Sequence, residues 1–305
     1  MRRSYVLALV AAILLAGGAW WGIAEYRATH GPECTVPRPA TVPASLATGA
    51  ADAAPLGLDA VQLQHAATIN AVGLSRGESE RARVIALATA WQESSLRNID
   101  RGDRDSLGLF QQRPSQGWGR AAQIMDPVYA AGQFFDHLAK VRGWQDMSLT
   151  AAAQAVQRSG HPDAYAKWEW DAQTLAEQLS GEAAPALSCR RGAHASTAEA
   201  PVRAAVPGTG NAGPRLGELL AAANAELTGV RADPASASGR GADVTIELPH
   251  TSAEVAARAL AAWLVAHATT YGVTEVATGG AAWSGHRWQD AAAPPAGSVH
   301  VTVAD

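Results

Sequence analysis

Nine consecutive residues, Val84 to Gln92 (VIALATAWQ), carry no charge, and they lie inside a segment, SERARVIALATAWQESSL, whose spacing predicts a helix. A helix that is apolar all round offers no face to water, so other elements must enclose it. The neighbouring stretches supply them: LDAVQLQHAATINAVGL before it, then DPVYAAGQFFDHLAKV, SLTAAAQAVQRS and HPDAYAKWEWDAQTLAEQL after it. Asp126 reads as an N-cap, with Pro127 at the first helical position. Residues 56–189 therefore read as a compact, mainly α domain.

The uncharged helix ends in Glu93. Ala82, Ala86, Thr89, Ala90 and Glu93 fall on one stripe of it, so the carboxyl shares a side with small residues. A carboxyl where a buried helix emerges is partly desolvated, and desolvation favours the form that can donate a proton. The alternative is an exposed last turn in which Glu93 pairs with Arg97 at i+4.

The chain has 305 residues, enough for two domains of ordinary size. Residues 5–24 form an apolar run after Met-Arg-Arg, about 20 residues, the length that crosses roughly 30 Å of hydrocarbon. This reads as a transmembrane signal-anchor, with Arg2 and Arg3 keeping the N-terminus in the cytoplasm and the rest outside. A cleaved signal peptide is the alternative. Residues 25–55 are rich in Pro and Ala and read as a spacer.

Two cysteines occur, Cys34 and Cys189. In an exported chain they read as a disulfide joining the two ends of the helical domain; two free thiols are the alternative. The net charge is −4 and no run of Lys or Arg could track a phosphate backbone, which excludes nucleic acid as a partner. The nine His are scattered without metal-ligand spacing, so neither a metal nor another cofactor is expected.

Residues 190–213 lack large apolar side chains and read as a linker, so residues 30–192 are expected to fold without residues 214–305. Residues 214–305 read as a small α/β domain. Two helices, GPRLGELLAAANAEL and TSAEVAARALAAWLVAHATTYG, accompany about three strands, ADVTIELP, VTEVATGG and SVHVTVA. The second helix opens on a capping box, Thr251 to Glu254. Trp283, His286 and Trp288 lie close together as a binding loop or as buried anchors.

The run after the uncharged helix carries more. Glu93-Ser94, a polar turn, and then Gly108-Leu109-Phe110-Gln111 with Pro114 after it resemble the signature of the goose-type lysozyme and soluble lytic transglycosylase superfamily, E-S followed by G-L-x-Q. The resemblance covers about residues 58–180 and implies a lysozyme-like fold acting on peptidoglycan. It implies Glu93 as the general acid at the bond between N-acetylmuramic acid and N-acetylglucosamine. Ser94 and Gln111 would hydrogen-bond the sugar, Phe110 would wall the cleft, and Ser106 and Gly108 belong to the same run.

A run of Gly-Leu-Phe-Gln would also serve as a tight turn. Gly102-Asp103-Arg104 resembles the G-D-R of goose-type lysozymes, which makes Asp103 the candidate base; a solvated turn in which Asp100, Asp103 and Asp105 pair with Arg101 and Arg104 is the alternative. One departure stands out. Where many lytic transglycosylases carry A-Y-N-A-G, with a Tyr that hydrogen-bonds the acid, this chain has Val156 in the Tyr place and Gln157 in the Asn place. That contact would have to come from elsewhere, for instance from Tyr165. Trp118, Trp144, Trp168 and Trp170 could stack on sugars or fill the core. A non-catalytic envelope protein that keeps this fold to bind glycan or a protein partner is the rival reading.

Overall fold

The computed structural model describes residues 33–39, 54–159, 163–190 and 206–305. Strands β1 (Cys34–Val36) and β2 (Leu56–Leu58) pair antiparallel and lead into α1 (Ala60–Ser75), which Asp59 and Gln62 open as a capping box. Ser79 caps α2 (Glu80–Ser94). The short α3 (Ala121–Ile124) precedes α4 (Pro127–Leu138), which starts on Asp126 and Pro127 as the sequence requires. Helices α5 (Leu149–Gln157) and α6 (Glu169–Ser180) complete the helical half, and β3 (Ser188–Cys189) returns to β1. Every residue of α2 from Ala82 to Trp91 is buried, with α1, α4, α5 and α6 packed around it. The demand made by its uncharged sequence is met on all sides.

Cys34 and Cys189 are joined in a disulfide at facing positions of β1 and β3, across 155 positions of sequence. In the chain-entropy model a closed loop of this length stabilises by about 5 kcal/mol, an upper bound. Residues 5–24, expected to span a membrane, lie outside the described residues, and among those described no helix is long and apolar enough to do so. Part of the expected spacer belongs to the fold. Besides β1, Arg38 bonds Asp171 on α6 at 2.7 Å and lies 4.0 Å over the Trp170 ring.

The second half holds more strands than the three expected. After α7 (Pro214–Glu226) come β4 (Arg231–Ala232), β5 (Gly241–Thr245), α8 (Ala253–Ala266), α9 (Ala268–Tyr271), β6 (Val273–Thr278), β7 (Ala281–Ser284), β8 (Arg287–Asp290) and β9 (Ser298–Val303). They form one six-stranded antiparallel sheet in the order β4-β5-β9-β6-β7-β8. The three strands expected from sequence, now β5, β6 and β9, are its centre. The added ones, β4 at one edge and the β7–β8 hairpin at the other, are short strands, too brief for alternation to show. The N-cap of α8 is Ser252, one residue past the expected Thr251, whose hydroxyl instead donates to the Pro249 carbonyl.

Helix α8 packs against the half expected to fold alone as residues 30–192. It lies between the sheet and helices α1 and α6, and its residues Ala256, Ala257 and Ala259 to Ala266 are all buried. Ala67, Ala71, Leu74 and Leu179 face Leu227, Ala259 and Trp263 across this seam. Arg258 Nε donates to the Gly181 carbonyl at 2.6 Å, and Thr270 Oγ1 to Gln64 Oε1 at 2.6 Å. The β7–β8 hairpin clamps β3 as well: Trp283 Nε1 donates to Ser188 Oγ (3.3 Å) and Trp288 Nε1 to the Leu187 carbonyl (2.8 Å). The tryptophans of AAWSGHRW are therefore anchors. Of the expected linker, residues 206–213 join the fold, with Val206 buried, and residues 191–205 lie outside the described part.

Candidate active site

Glu93 lies on the last turn of α2, half-buried. Helix α2 stops there because Ser95 takes the left-handed conformation and Leu96 follows it (φ 54° and 58°), with Leu96 N–H reaching back to the Ala90 carbonyl. Leu96 is then fully buried. The chain leaves the helix sharply, so the Glu93 carboxyl stands at an edge.

Tyr165 Oη donates to Glu93 Oε1 at 2.7 Å. The phenol is buried, and that burial, with the adjacent Glu93 carboxylate, pushes its pKa far above the ordinary tyrosine value. Tyr165 therefore stays a donor across the whole working pH range. The contact that Val156 cannot make comes from a residue nine positions later, and Val156 itself is core.

The expected substrate-binding residues hold the turn beside Glu93. Leu107 and Gln112 exchange both backbone hydrogen bonds, so Gly108 to Gln111 form a tight hairpin-like turn. Ser94 Oγ sits 2.8 Å from the Leu109 carbonyl and 3.0 Å from that of Ala90. Gln157 Nε2 donates to the Phe110 carbonyl at 2.7 Å. The Gln111 amide donates to the Gly108 carbonyl (3.2 Å) and lies 3.4 Å from that of Arg101. Gly108 must be glycine: its φ is +75°, and a Cβ would stand 2.7 Å from the Ile124 carbonyl oxygen. Ser106 is buried, its N–H bonded to the Asp103 carbonyl.

Phe110 does not wall a cleft. It is fully buried and stacks on Phe134 with ring centres 4.8 Å apart. The tryptophans are also engaged. Trp168 stacks on Trp91 (5.2 Å) and donates to Gln92 Oε1 (2.9 Å), while Trp118 is buried against His137 and Trp144 is buried too.

The three aspartates of the loop separate cleanly. Asp105 accepts from Arg113 Nε (2.9 Å), Ser115 N–H (2.8 Å) and Ser115 Oγ (2.9 Å), and these bonds, the Ser115 N–H first, hold its carboxyl well below the usual carboxylate range. Asp103 is 90% exposed and only 3.9 Å from Arg104, and Asp100 is exposed beside Arg101. Asp100 and Asp103 are thus both left in solvent, and Asp105 is committed to the loop. A depressed folded-state pKa stabilises the fold above the ordinary Asp range and loses that contribution as pH falls through it. Asp105→Asn should therefore flatten the acid limb of a stability-versus-pH curve below about pH 4. Parallel limbs for variant and parent would contradict this.

Six non-glycine residues among those described have a left-handed backbone: Ser95, Leu96, Arg104, Gln111, Arg158 and His250. Ser95 and Leu96 follow Glu93 in sequence, Arg104 and Gln111 lie in the loop and turn after it and Arg158 ends α5, each at a cost on the order of 1 kcal/mol. Composition gives no sign of these conformations. Nor does it single out Gln154 and Ser159, whose side chains bond each other (3.0 Å) at the end of α5. No metal-binding group of three or more His, Cys, Asp or Glu exists among the described residues. No protein-family model matches the chain, and no curated protein does either.

Proposed function

We propose that this protein cleaves the glycan strands of peptidoglycan at the bond between N-acetylmuramic acid and N-acetylglucosamine, with Glu93 as its single general acid. The observation that carries the reading is the half-buried Glu93 carboxyl, fixed at a helix end by the Tyr165 hydroxyl at 2.7 Å. Glycoside cleavage needs one carboxylic acid beside the leaving oxygen. The Glu93 proton passes to the glycosidic oxygen as the C1–O bond breaks, and the bonding pair leaves with that oxygen. The 6-hydroxyl of the muramic residue, or water, then attacks C1 and returns a proton to a carboxylate. Carboxyl chemistry of this kind needs no cofactor.

The disulfide suits an oxidising compartment, and with the apolar run at residues 5–24 it supports an extracytoplasmic protein held at the membrane. The glycan strands are then its partner and substrate. One observation favours a non-catalytic envelope protein that binds a partner instead: the expected sugar contacts are committed inward, Ser94 and Gln157 to carbonyls of the turn and Phe110 to Phe134.

The nature of the product turns on Asp103. An inverting hydrolase needs a base roughly 6.5 to 9.5 Å from the acid, whereas anhydro-forming cleavage needs none. Digests by the full chain are expected to contain reducing ends, which Asp103→Asn should lose and Asp105→Asn should keep. Digests made only of 1,6-anhydro products, indifferent to Asp103, would establish the transglycosylase reaction with Glu93 as acid and base in turn.

A further inference from the structure

We infer that Trp168 is a positioning residue that sets where the Tyr165 hydroxyl meets the Glu93 carboxyl. The inference rests on Glu93 being the general acid. Ala166–Trp168 form a single 3-10 turn that Tyr165 opens, closed by the bond from Trp168 N–H to the Tyr165 carbonyl at 3.0 Å. Such a turn has three residues per revolution, so side chains at i and i+3 leave it on the same side. Tyr165 and Trp168 are that pair, and both reach the end of α2.

Three successive residues of α2 receive them. Trp91 stacks on the Trp168 indole with ring centres 5.2 Å apart and planes 14° from parallel. Gln92 Oε1 accepts from Trp168 Nε1 at 2.9 Å, and Glu93 Oε1 accepts from Tyr165 Oη at 2.7 Å. An indole nitrogen can only donate, so the Gln92 amide must turn its oxygen to it. The stack holds the indole along its normal and the hydrogen bond holds it in its plane, so the ring has one seat on α2. Trp91 is buried, and Trp168 packs against the core before leading straight into α6, which itself lies along α2.

The phenol takes its place from this seat. A hydroxyl-to-oxygen bond spans only about 2.5 to 3.0 Å, and misplacing a group at a reacting centre by about 1 Å can cost on the order of a hundredfold. The indole spends its N–H on Gln92 and one ring face on Trp91, so it acts through Tyr165 and not on the glycan. Without the indole the 3-10 turn can slide along α2. The phenol then parts from Glu93, while the acid itself stays at its helix end.

The test is a double-mutant cycle on the full chain, reading murein cleavage at saturating and limiting substrate, together with crystal structures of parent and variant. Trp168→Leu is expected to lower kcat about tenfold, part of the roughly 10²–10⁴ that general acid catalysis supplies, with KM within about twofold. Trp168→Phe, which keeps a ring for Trp91, should recover part of the loss. In a Tyr165→Phe background Trp168→Leu should cost less than about twofold more, because the bond it positions is already gone. In the Trp168→Leu structure Tyr165 Oη should stand more than about 3.2 Å from Glu93 Oε1. If Trp168→Leu fails to fold, Gln92→Met removes the indole's acceptor alone and should give a smaller loss with the same dependence on Tyr165. Losses that multiply independently, a loss confined to KM, or a Tyr165–Glu93 bond unchanged in the variant overturn the inference. A wild-type protein inert on murein, in which Trp168→Leu still displaces Tyr165, overturns the glycan-cleaving reading and leaves the positioning role standing.

Discussion

Glu93→Gln is expected to lower murein cleavage by at least a hundredfold, the lower end of what a general acid contributes, while leaving stability within about 1 kcal/mol of the parent. Glutamine keeps the shape of the side chain, and its carbonyl oxygen still accepts the Tyr165 proton, so the bond at the end of α2 survives. What is lost is the proton to donate. Cleavage rate and denaturant midpoint, measured on one preparation, separate chemistry from folding. Residual activity above about a tenth would remove Glu93 from the role.

Gly181→Ala is expected to destabilise the whole chain by roughly 2 to 5 kcal/mol, because it combines overpacking with a left-handed backbone. Gly181 ends α6 at φ +80°, and a Cβ there would stand 2.1 Å from the Val255 carbonyl oxygen and 2.6 Å from the Ala259 nitrogen. Both are backbone atoms of α8 and cannot swing aside as a side chain would. To admit a methyl group, α8 must lift from α6, stretching the Arg258 bond to the Gly181 carbonyl and opening the Leu179–Trp263 seam. A midpoint shift worth less than about 1 kcal/mol would mean that α8 does not depend on α6 at this crossing.

Helix α8 shows why the join between the halves escaped a reading by sequence. The argument that encloses α2, that an uncharged helix needs cover on every side, applies equally to ALAAWLVAHA, which is as apolar all round. A sheet covers only one side of it. The other side had to be met by something outside residues 214–305, and α1 and α6 meet it. The missed strands have a different cause. β7 and β8 are four residues each, and their link, Gly285-His286, is the two-residue hairpin loop that a glycine permits, but AAWSGHRW is too short for its alternation to mark Trp283 and Trp288 as a cross-strand pair.

Within the candidate site, the place of Glu93 at a helix end and the turn at Gly108 to Gln111 were legible from local pattern, and the Tyr165 contact from the resemblance, which calls for a tyrosine that Val156 does not supply. The inward commitment of Ser94 and Gln157 was not, since a polar side chain next to a motif reads the same whether it faces a sugar or a backbone carbonyl. The loop aspartates show the same limit. Asp103 and Asp105 are equivalent in composition, and only the fold, by bringing Arg113 and Ser115 to Asp105, makes one a structural group and leaves the other exposed.

The most direct measurement is mass analysis of purified murein after incubation with the full, oxidised chain. Soluble fragments ending in N-acetylmuramic acid, reducing or anhydro, are expected from the wild type and should be absent with Glu93→Gln. Murein that binds the protein and sediments with it, yet releases no such fragments, would contradict glycan cleavage and leave this fold as a glycan-binding one.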